Sequence, residues 1–333
     1  GNKEVIIANA KHLVAIDRPF TTIVAGNKSA NDDIKAIFDE AGKDVVITAN
    51  VMPQFNKLNI EPARDAIRQL FISRIIEAKG LNILQSMTSY KIIPTPLAVL
   101  HACELLSKGT KTQQGRGDLL AVDIGGATTD VYSMASGEPT VDNTMLKGLP
   151  EPWMKRTVEG DLGMRYSLTH VYEQIPGSDN PENEYMQQVK AWVELCTARP
   201  DTLAAPDSEE EGLEEFLGRS AVSMAVERHC GRIADVFTPL GLMHTQEGKD
   251  LMNVPSVIGI GGVLRNSRRP EEILKGSLYD FMHPECTKPR KPKFYLDQKY
   301  IFASMGLLRS INPELAFELL DKETVEIGCN ATV

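Results

Sequence analysis

Residues 119–134 read LLAVDIGGATTDVYSM, and this stretch decides the fold. Two apolar runs, residues 119–124 and 129–134, have the composition of buried strands, and the GGAT sequence between them is a tight turn. We therefore predict a β-hairpin. A plain hairpin accounts for the two glycines but not for a carboxylate at each end of the turn, Asp123 and Asp130. The pattern therefore favours a phosphate site.

The residue types in this hairpin suit phosphate chemistry. Glycine has no Cβ, so the backbone N–H groups of a glycine turn can approach phosphate oxygens closely. A hydroxyl such as that of Thr128 can hydrogen-bond a terminal phosphate, and Asp130 is expected to orient Thr128. Asp123 can hold Mg²⁺ through water, since this ion prefers one or two carboxylates and keeps several waters. The expected contacts are Asp123, Gly125, Gly126, Ala127, Thr128, Thr129 and Asp130.

A second glycine turn occurs at residues 257–263, which read VIGIGGV. Here a strand ends in Gly-x-Gly-Gly, and a planar base and ribose can lie against the bare backbone of Gly259, Gly261 and Gly262. The turn lacks the third glycine of the dinucleotide fingerprint, and we expect no cofactor-type βαβ unit to follow it. Residues 26–29 (GNKS) lack the first glycine of a P-loop, so that motif is also excluded.

The rest of the chain alternates apolar-periodic and polar segments. Residues 22–26, 31–41 and 45–49 read strand, helix and strand, which predicts a βαβ unit with parallel strands. Residues 4–8 also read as a strand. Helices are predicted over residues 60–79, 94–107, 298–310 and 313–321. Residues 157–240 are predicted to be mainly helical, with the last helix of that region ending near Phe237.

Composition excludes several classes of function. The chain has 333 residues and a net charge of -9, so it lacks the clustered positive charge that nucleic acid requires. Its longest apolar runs fall short of a membrane span, and residues 1–20 contain no signal peptide. Its five cysteines form no CxxC pair and predict buried thiols in a reducing, cytoplasmic compartment. These cysteines are Cys103, Cys196, Cys230, Cys286 and Cys329.

The two glycine turns together resemble the second phosphate motif and the adenosine motif of the actin/Hsp70/sugar-kinase superfamily. Residues 94–100 (PTPLAVL) and 302–307 (FASMGL) resemble its two connecting helices, where a small residue permits close helix crossing. The resemblance implies an α/β, ribonuclease H-like fold with two domains around a nucleotide cleft. It also implies domain limits, with the first domain incomplete. These are residues 1–117, residues 118–310 with a helical insert at about 165–240, and a C-terminal helix and tail at 311–333.

Further segments resemble one family in particular, the MutL/GlmL proteins encoded beside glutamate mutase, which are unrelated to mismatch-repair MutL. These segments are NIEPAR at 59–64, IPTP at 93–96, RTVEGDLG at 156–163, QEGKDL at 246–251 and PKFYLD at 292–297. The resemblance implies a weak ATPase that binds ATP and Mg²⁺, with Asp123 and Thr128 in catalytic roles. It adds Gly160 and Asp161 as cofactor contacts at the start of a helix. It implies an adenosylcobalamin-dependent mutase as partner, glutamate mutase or a related aminomutase, reactivated by ATP-driven release of damaged cobalamin.

Two departures from the superfamily pattern bear on activity. Ala127 stands where glycine is frequent, and nothing in residues 1–118 matches the first phosphate motif. The chain begins at Gly1 without a methionine, so we expect a fragment that binds nucleotide poorly by itself. A small-molecule kinase of the same fold remains open, although no clear catalytic Asp is found. A hydantoinase-like or ATP-dependent activator also remains open, although an iron–sulfur activator would need bridging cysteine pairs.

Overall fold

A computed structural model describes residues 2–54, 57–78, 87, 92–149, 151–239 and 241–329. The chain forms two compact units, Gly1–Pro94 and Thr95–Val333. The domain limits at residues 117 and 310 refer to the superfamily's ATPase domains and stay a prediction. The predicted last residue of the helix that starts near Ile60, Lys79, lies outside the described residues.

The first unit contains a βαβ unit, as predicted. Strands β1 and β2 are parallel, and helix α2 connects them and buries Ile34 and Phe38. The elements of this unit are α1 (Lys3–Val14), β1 (Thr22–Val24), α2 (Asn31–Glu40), β2 (Val45–Ile47) and α3 (Glu61–Ala78).

Residues 4–8 were predicted to form a strand, and this prediction is wrong, because they belong to helix α1. The Asn2 side chain accepts a hydrogen bond from the Glu4 N–H group at 2.9 Å, which caps the helix. Ile6, Ala10 and Leu13 then fall on one helical face and pack into the small core around Phe38. The short apolar run could not by itself distinguish a strand from a buried helical face.

The second unit consists of helices packed on a large mixed sheet, with a smaller sheet beside it. Its first elements are α4 (Thr95–Lys108), β3 (Leu119–Ile124), β4 (Thr129–Met134), β5 (Thr144–Lys147), β6 (Met154–Glu159), α5 (Leu168–Glu173), α6 (Glu184–Ala198), α7 (Glu209–His229) and β7 (Arg232–Thr238). The remaining ones are β8 (Gly241–Glu247), β9 (Ser256–Ile260), α8 (Gly262–Asn266), α9 (Pro270–Leu274), β10 (Lys293–Asp297), α10 (Phe302–Leu308), α11 (Pro313–Glu323) and β11 (Thr324–Cys329).

The large sheet has the strand order β11-β10-β9-β3-β4-β6. Strands β3 and β4 form the predicted antiparallel hairpin, and β9 lies parallel to β3 on its other side. Strand β10 is parallel to β9, and helices α8 and α9 connect the two. A βαβ connection therefore follows the second glycine turn, while that turn lacks the third glycine of the dinucleotide fingerprint. The α/β class is confirmed.

Strand β3 is buried on both faces, which explains its unbroken apolar sequence. Leu119 and Ala121 face a core formed with α4, α10 and α11. Leu120 and Val122 face a second core formed with α5, α6, α7 and α9. Successive side chains of a strand point to opposite faces, so each layer of helices receives alternate residues. The hairpin is thereby fixed at the centre of the unit.

The helix predicted to end near Phe237 ends at His229, and residues 232–238 form strand β7 instead. The cause is a close approach at Gly231, where a Cβ atom would lie 2.9 Å from the Glu247 carbonyl oxygen. From this point the chain pairs with β8, starting with Arg232 opposite Glu247. The helix predicted over residues 313–321 is confirmed as α11, whose N-terminus is capped by the Asn312 side chain and has Pro313 at its first position.

Two further expectations concern the cysteines and membrane-spanning helices. Cys103, Cys196, Cys230 and Cys286 are buried free thiols, as predicted. Among the described residues, no helix has both the length and the apolar composition needed to cross a membrane.

Candidate functional site

The two glycine turns meet at one edge of the large sheet. Strands β3 and β9 are parallel, and Asp123 at the end of β3 lies opposite Ile260 at the end of β9. Gly261 follows with φ of +99°, a conformation that side chains rarely adopt. A Cβ atom there would lie 2.5 Å from the Ile124 carbonyl oxygen and 2.7 Å from Asp123 Oδ1. Only glycine permits this approach of the second turn to the first.

The segment that follows β6, residues 160–167, forms hydrogen bonds with the turn of the β3–β4 hairpin. The Met164 N–H group donates to the Gly125 carbonyl at 3.0 Å, and the Arg165 N–H group donates to the Gly126 carbonyl at 2.8 Å. The Ser167 hydroxyl donates to the Ala127 carbonyl at 2.9 Å. The carbonyl groups of Gly125, Gly126 and Ala127 are therefore all hydrogen-bonded to this segment.

The N–H groups of the same turn are left available. Within the ranges that the structure describes, those of Gly126, Ala127 and Thr128 have no hydrogen-bond partner. Unpaired, convergent backbone N–H groups in a glycine turn form an anion-binding concavity. The helix expected near Gly160 starts only at Leu168, because the intervening backbone supports the turn.

Asp130 anchors the far end of the hairpin. The Thr128 hydroxyl donates to Asp130 Oδ2 at 3.3 Å, which agrees with the predicted orienting role. Arg156 Nε on the neighbouring strand β6 donates to Asp130 Oδ1 at 2.8 Å. Thr129 is fully buried, and its hydroxyl donates to the Leu162 carbonyl, so its side chain holds the hairpin onto the 160–167 segment.

The Asp123 carboxylate is electrostatically unsatisfied. Burial raises its pKa to about 6, the negative charges of Asp130 and Asp297 add to the rise, and Arg156 opposes it. Among the described residues, no hydrogen bond or ion pair involves this carboxylate. An ionised, partly buried carboxylate beside other carboxylates costs free energy unless a nearby cation offsets its charge.

Asp297 is a residue that sequence reasoning did not assign to the site. It ends β10, at the same sheet edge as Asp123, and is buried. Its two oxygens accept from the Ile301 and Phe302 N–H groups, each at 3.0 Å, and so cap α10. This cap starts the helix at Phe302, later than the predicted residue 298. The available signal was an Asp directly after the short apolar run at residues 294–296.

A cavity of about 390 Å³ opens beside both turns. Gly125, Gly126 and Gly262 line it, so the predicted phosphate and adenosine residues share one space. Arg165, Glu214 and Tyr300 line it as well, and none of the three was predicted. Arg165 donates to Glu214 Oε1 at 2.6 Å and to the Thr202 carbonyl at 3.0 Å, which holds the wall in place. The other lining residues are Met164, Leu203, Ala204, Glu211, Glu215, Val263, Asn266, Ser267 and Ile273.

Comparison with known proteins now decides the family. The model of the MutL protein family matches residues 1–324. The chain is 44% identical to Protein MutL of Clostridium tetanomorphum over 330 residues, which cover 98% of this chain and 71% of that protein. This chain belongs to the MutL family.

Of the twelve predicted contacts, the described lining of the cavity includes Gly125, Gly126 and Gly262, and it lacks the other nine, among them Asp123 and Thr128. Three of those nine are engaged in packing or in hydrogen bonds within this MutL-family chain. Gly259 lies inside β9, and a Cβ atom there would be 2.9 Å from Leu264 Cδ1, so this glycine admits the helices that follow the strand. The Gly160 carbonyl accepts from the Ser167 hydroxyl at 2.9 Å. Asp161 is bound by Arg228, whose two terminal nitrogens donate to its two oxygens at 2.8 Å each.

The Asp161–Arg228 pair extends to Glu159, which accepts from the same guanidinium at 2.7 Å. Hydrogen bonding to Arg228 lowers the pKa of Asp161 well below its ordinary value. The cluster ties the 160–167 segment of the MutL-family chain to the end of α7. Asp161 therefore supports the β3–β4 hairpin indirectly, because it fixes the 160–167 segment to which the turn is hydrogen-bonded.

Chemically, the edge of the sheet combines three groups suited to one kind of ligand. It presents an uncompensated carboxylate at Asp123, free N–H groups at residues 126–128 and the Thr128 hydroxyl. A phosphorylated ligand with its divalent cation satisfies all three together, because the cation offsets the carboxylates and the N–H groups bind the anion.

Proposed function

We propose that this MutL protein binds Mg-ATP at the paired glycine turns. The observation that carries the proposal is the apposition of Gly261 and Asp123, which puts the two turns beside one cavity. In this proposal the N–H groups of residues 126–128 and the Thr128 hydroxyl bind phosphate oxygens. The backbone at Gly261 and Gly262 lies against the adenosine, between the walls that contain Arg165 and Tyr300.

The residues fit a magnesium ion. In the part of the chain that the structure describes, the Asp123 carboxylate has no hydrogen-bond or ion-pair partner, and the charges of Asp130 and Asp297 make a nearby cation favourable. When bound, Mg²⁺ neutralises phosphate charge and orders water. Asp130 holds the Thr128 hydroxyl in place, and Arg156 orients Asp130 through its hydrogen bond. Asp123 would hold the ion through its water shell, and the ion would then supply an ordered water molecule next to the terminal phosphate.

We further propose that the partner is an adenosylcobalamin-dependent mutase, glutamate mutase or a related aminomutase, and that ATP drives release of damaged cobalamin from it. Support comes from membership of the MutL family and from the resemblance to proteins encoded beside glutamate mutase. A nucleotide can drive such a cycle only through its differential affinity for two conformations of the protein. The terminal phosphate contact, lost on hydrolysis, supplies that difference.

Calorimetric titration of Mg-ATP into this chain and into the Clostridium tetanomorphum relative tests the nucleotide site. We expect saturable binding that requires Mg²⁺ and is lost in Asp123→Ala. Asp142→Ala is the matched control, since Asp142 is exposed on the loop before β5 and lies outside the cavity lining. Unchanged binding in Asp123→Ala, or no binding by either folded protein, contradicts the proposal.

A reactivation assay tests the partner. Adenosylcobalamin-dependent glutamate mutase inactivated with cyanocobalamin is incubated with the protein, Mg-ATP and fresh cofactor. We expect recovery of mutase activity that needs ATP and is absent with Asp123→Ala. If the protein binds ATP but the mutase does not recover, the partner is wrong while the nucleotide site stands. Transfer of the terminal phosphate to a small molecule would instead favour the kinase alternative.

A further inference from the structure

A second cavity of about 670 Å³ lies away from the glycine turns, between helix α7 and the segment 275–281. Its chemistry is mixed. Helix α7 contributes Arg219, two serine hydroxyls and the Phe216 ring, and the segment contributes Lys275 and two further aromatic rings. The residues that carry the argument are Arg219, Ser220, Ser223, Lys275, Tyr279 and Phe281.

A buried cation lies directly behind this cavity. Lys288 is 3% exposed, and its ammonium group donates to Ser223 Oγ at 2.9 Å and to the Gly276 carbonyl at 3.5 Å. Both of these partners line the cavity and both are neutral. In the part of the chain that the structure describes, Lys288 forms no ion pair with a carboxylate. A buried ammonium is ordinarily paired, so this one leaves a positive charge at the cavity floor.

The same contact prepares Ser223 as a donor. Its oxygen accepts from Lys288, so its own O–H is free to donate to a ligand oxygen in the cavity. Arg219 lies one helical turn before Ser223 and therefore on the same face of α7. Within the described ranges the Arg219 guanidinium has no ion-pair partner. Arg219 and Ser223 thus both line the cavity, and Lys288 lies behind the Ser223 hydroxyl.

The opposite wall is aromatic and held firmly. Tyr279 and Phe281 pack edge to face with ring centroids 5.3 Å apart, and Arg290 lies 5.1 Å from the centre of the Tyr279 ring. Phe281 is 68% exposed, which leaves much of its ring open to solvent. The segment fits closely on α7, since a Cβ atom at Gly276 would lie 2.3 Å from the Arg219 carbonyl oxygen.

The acidic groups around the cavity do not cancel its charge. Glu272 Oε1 forms an ion pair with Lys275 Nζ at 2.6 Å, and Lys275 is one of the residues that line the cavity. Asp280 is exposed at the rim, on the aromatic side. Burial lowers the pKa of Lys288, and nearby negative charges, including those of Glu227 and Asp280, oppose that shift. Among the described residues, Arg219 is therefore the lining cation without an ion-pair partner.

We propose that this cavity binds an organic anion that carries a planar ring, such as an aromatic phosphate ester. The anionic group lies between the Arg219 guanidinium and the Ser223 hydroxyl, above Lys288. The ring lies against Phe281 and Tyr279. Arginine and hydroxyl donors suit a phosphate oxygen cluster, and an exposed aromatic edge suits a second ring.

This site does not depend on the proposed ATP site. Helix α7 contributes Glu211, Glu214 and Glu215 to the cavity at the glycine turns and Phe216, Arg219, Ser220 and Ser223 to the second cavity. The two sites use different residues of one helix, so each can be removed without the other.

The test uses phenyl phosphate and inorganic phosphate as probes, titrated calorimetrically into the full chain. We expect saturable binding of phenyl phosphate that is tighter than that of inorganic phosphate. Arg219→Ala should weaken phenyl phosphate about tenfold, the effect of losing one charge-assisted hydrogen bond. Phe281→Ala should remove the advantage of phenyl phosphate over inorganic phosphate. Arg199→Ala, at the exposed end of α6, is the control and should bind as the unmodified chain does.

Specific outcomes overturn this proposal. It fails if phenyl phosphate does not bind, or if the folded Arg219→Ala variant binds it unchanged. It also fails if Mg-ATP displaces phenyl phosphate and Asp123→Ala abolishes its binding, because the probe then occupies the glycine turns. Retained phenyl phosphate binding in Asp123→Ala supports a separate site, whether or not that variant has lost ATP.

Discussion

The backbone of Gly261 lies against the side chain of Asp123, so that a Cβ atom at position 261 would be 2.7 Å from the carboxylate oxygen Oδ1. Gly261 directly follows strand β9, and Asp123 is the penultimate residue of the adjacent parallel strand β3. Their contact joins the second glycine turn to the hairpin, and it explains why the position tolerates no side chain.

Gly261→Ala should destabilise the protein and remove nucleotide binding together. The residue has φ of +99°, and the added methyl group would collide with the Ile124 carbonyl oxygen at 2.5 Å. We expect a loss of about 1–3 kcal/mol in the free energy of unfolding, measured by urea titration. Gly262→Ala is the control, because a Cβ atom there meets only Asn266 Nδ2, at 3.9 Å. Equal stability of the two variants would contradict the close approach.

Asp123→Asn should stabilise the metal-free protein at neutral pH. The folded-state pKa of Asp123 is raised from 3.8 to about 6, so the folded chain holds this proton more tightly than the unfolded chain. Stability therefore falls as pH rises between about 4 and 6, and the deficit persists above that window. The neutral amide of asparagine removes this loss of stability, and we expect the free energy of unfolding to rise by about 1–3 kcal/mol at pH 7.5.

The measurement is thermal unfolding of the unmodified chain and Asp123→Asn from pH 4 to pH 8, with and without Mg²⁺. The difference between the two should vanish near the acid end of this range. Added Mg²⁺ should stabilise only the unmodified chain, and more at pH 8 than at pH 5, because the ion competes with the proton for the carboxylate. A pH-independent difference between the two proteins would mean that Asp123 titrates normally.

Gly306→Ala should be among the most damaging single-methyl changes in the second unit. Helices α4 and α10 cross so closely that a Cβ atom at Gly306 would lie 1.8 Å from the Ala98 carbonyl oxygen. The helices must separate, and we expect a cost of about 2–4 kcal/mol. Gly212→Ala is the matched control in α7, where a Cβ atom meets nothing within 4 Å. It should stabilise by up to about 1 kcal/mol through helix propensity. Similar unfolding midpoints for both variants would rule out the tight crossing.

The Arg228 cluster should contribute modestly to stability, and only above acidic pH. Arg228→Met leaves Glu159 and Asp161 without their shared cation, and the exposure of the cluster limits the loss to roughly 0.5–1 kcal/mol. The depressed pKa of Asp161 means that its contribution is present at neutral pH and is lost as pH falls through that low value. A double-mutant cycle of Arg228→Met and Asp161→Asn in urea measures the coupling, and high salt should reduce it. Coupling of zero at low salt would show that the pair contributes nothing.

The sequence by itself determined the hairpin, because strands buried on both faces need continuous apolar runs and a two-sided core leaves no alternative register for residues 119–134. It also determined the first βαβ unit and the Asn312 cap, since both depend on neighbours in the chain. It did not distinguish helix from strand at residues 4–8 and 232–238. Those short apolar segments take their structure from what they pack against: α2 in one case and β8 in the other.

The tertiary structure alone decided which predicted residues form the site. Strand pairing brought Gly261 to Asp123 and added Asp297 at the same edge, while it turned Gly259 into a packing position. The Asp161 carboxylate accepts hydrogen bonds from Arg228, although the two residues are far apart in the chain. A local pattern specifies which groups a residue can offer. Which of them remain unpaired beside a cavity depends on non-local pairing, and that is settled only when the sheet assembles.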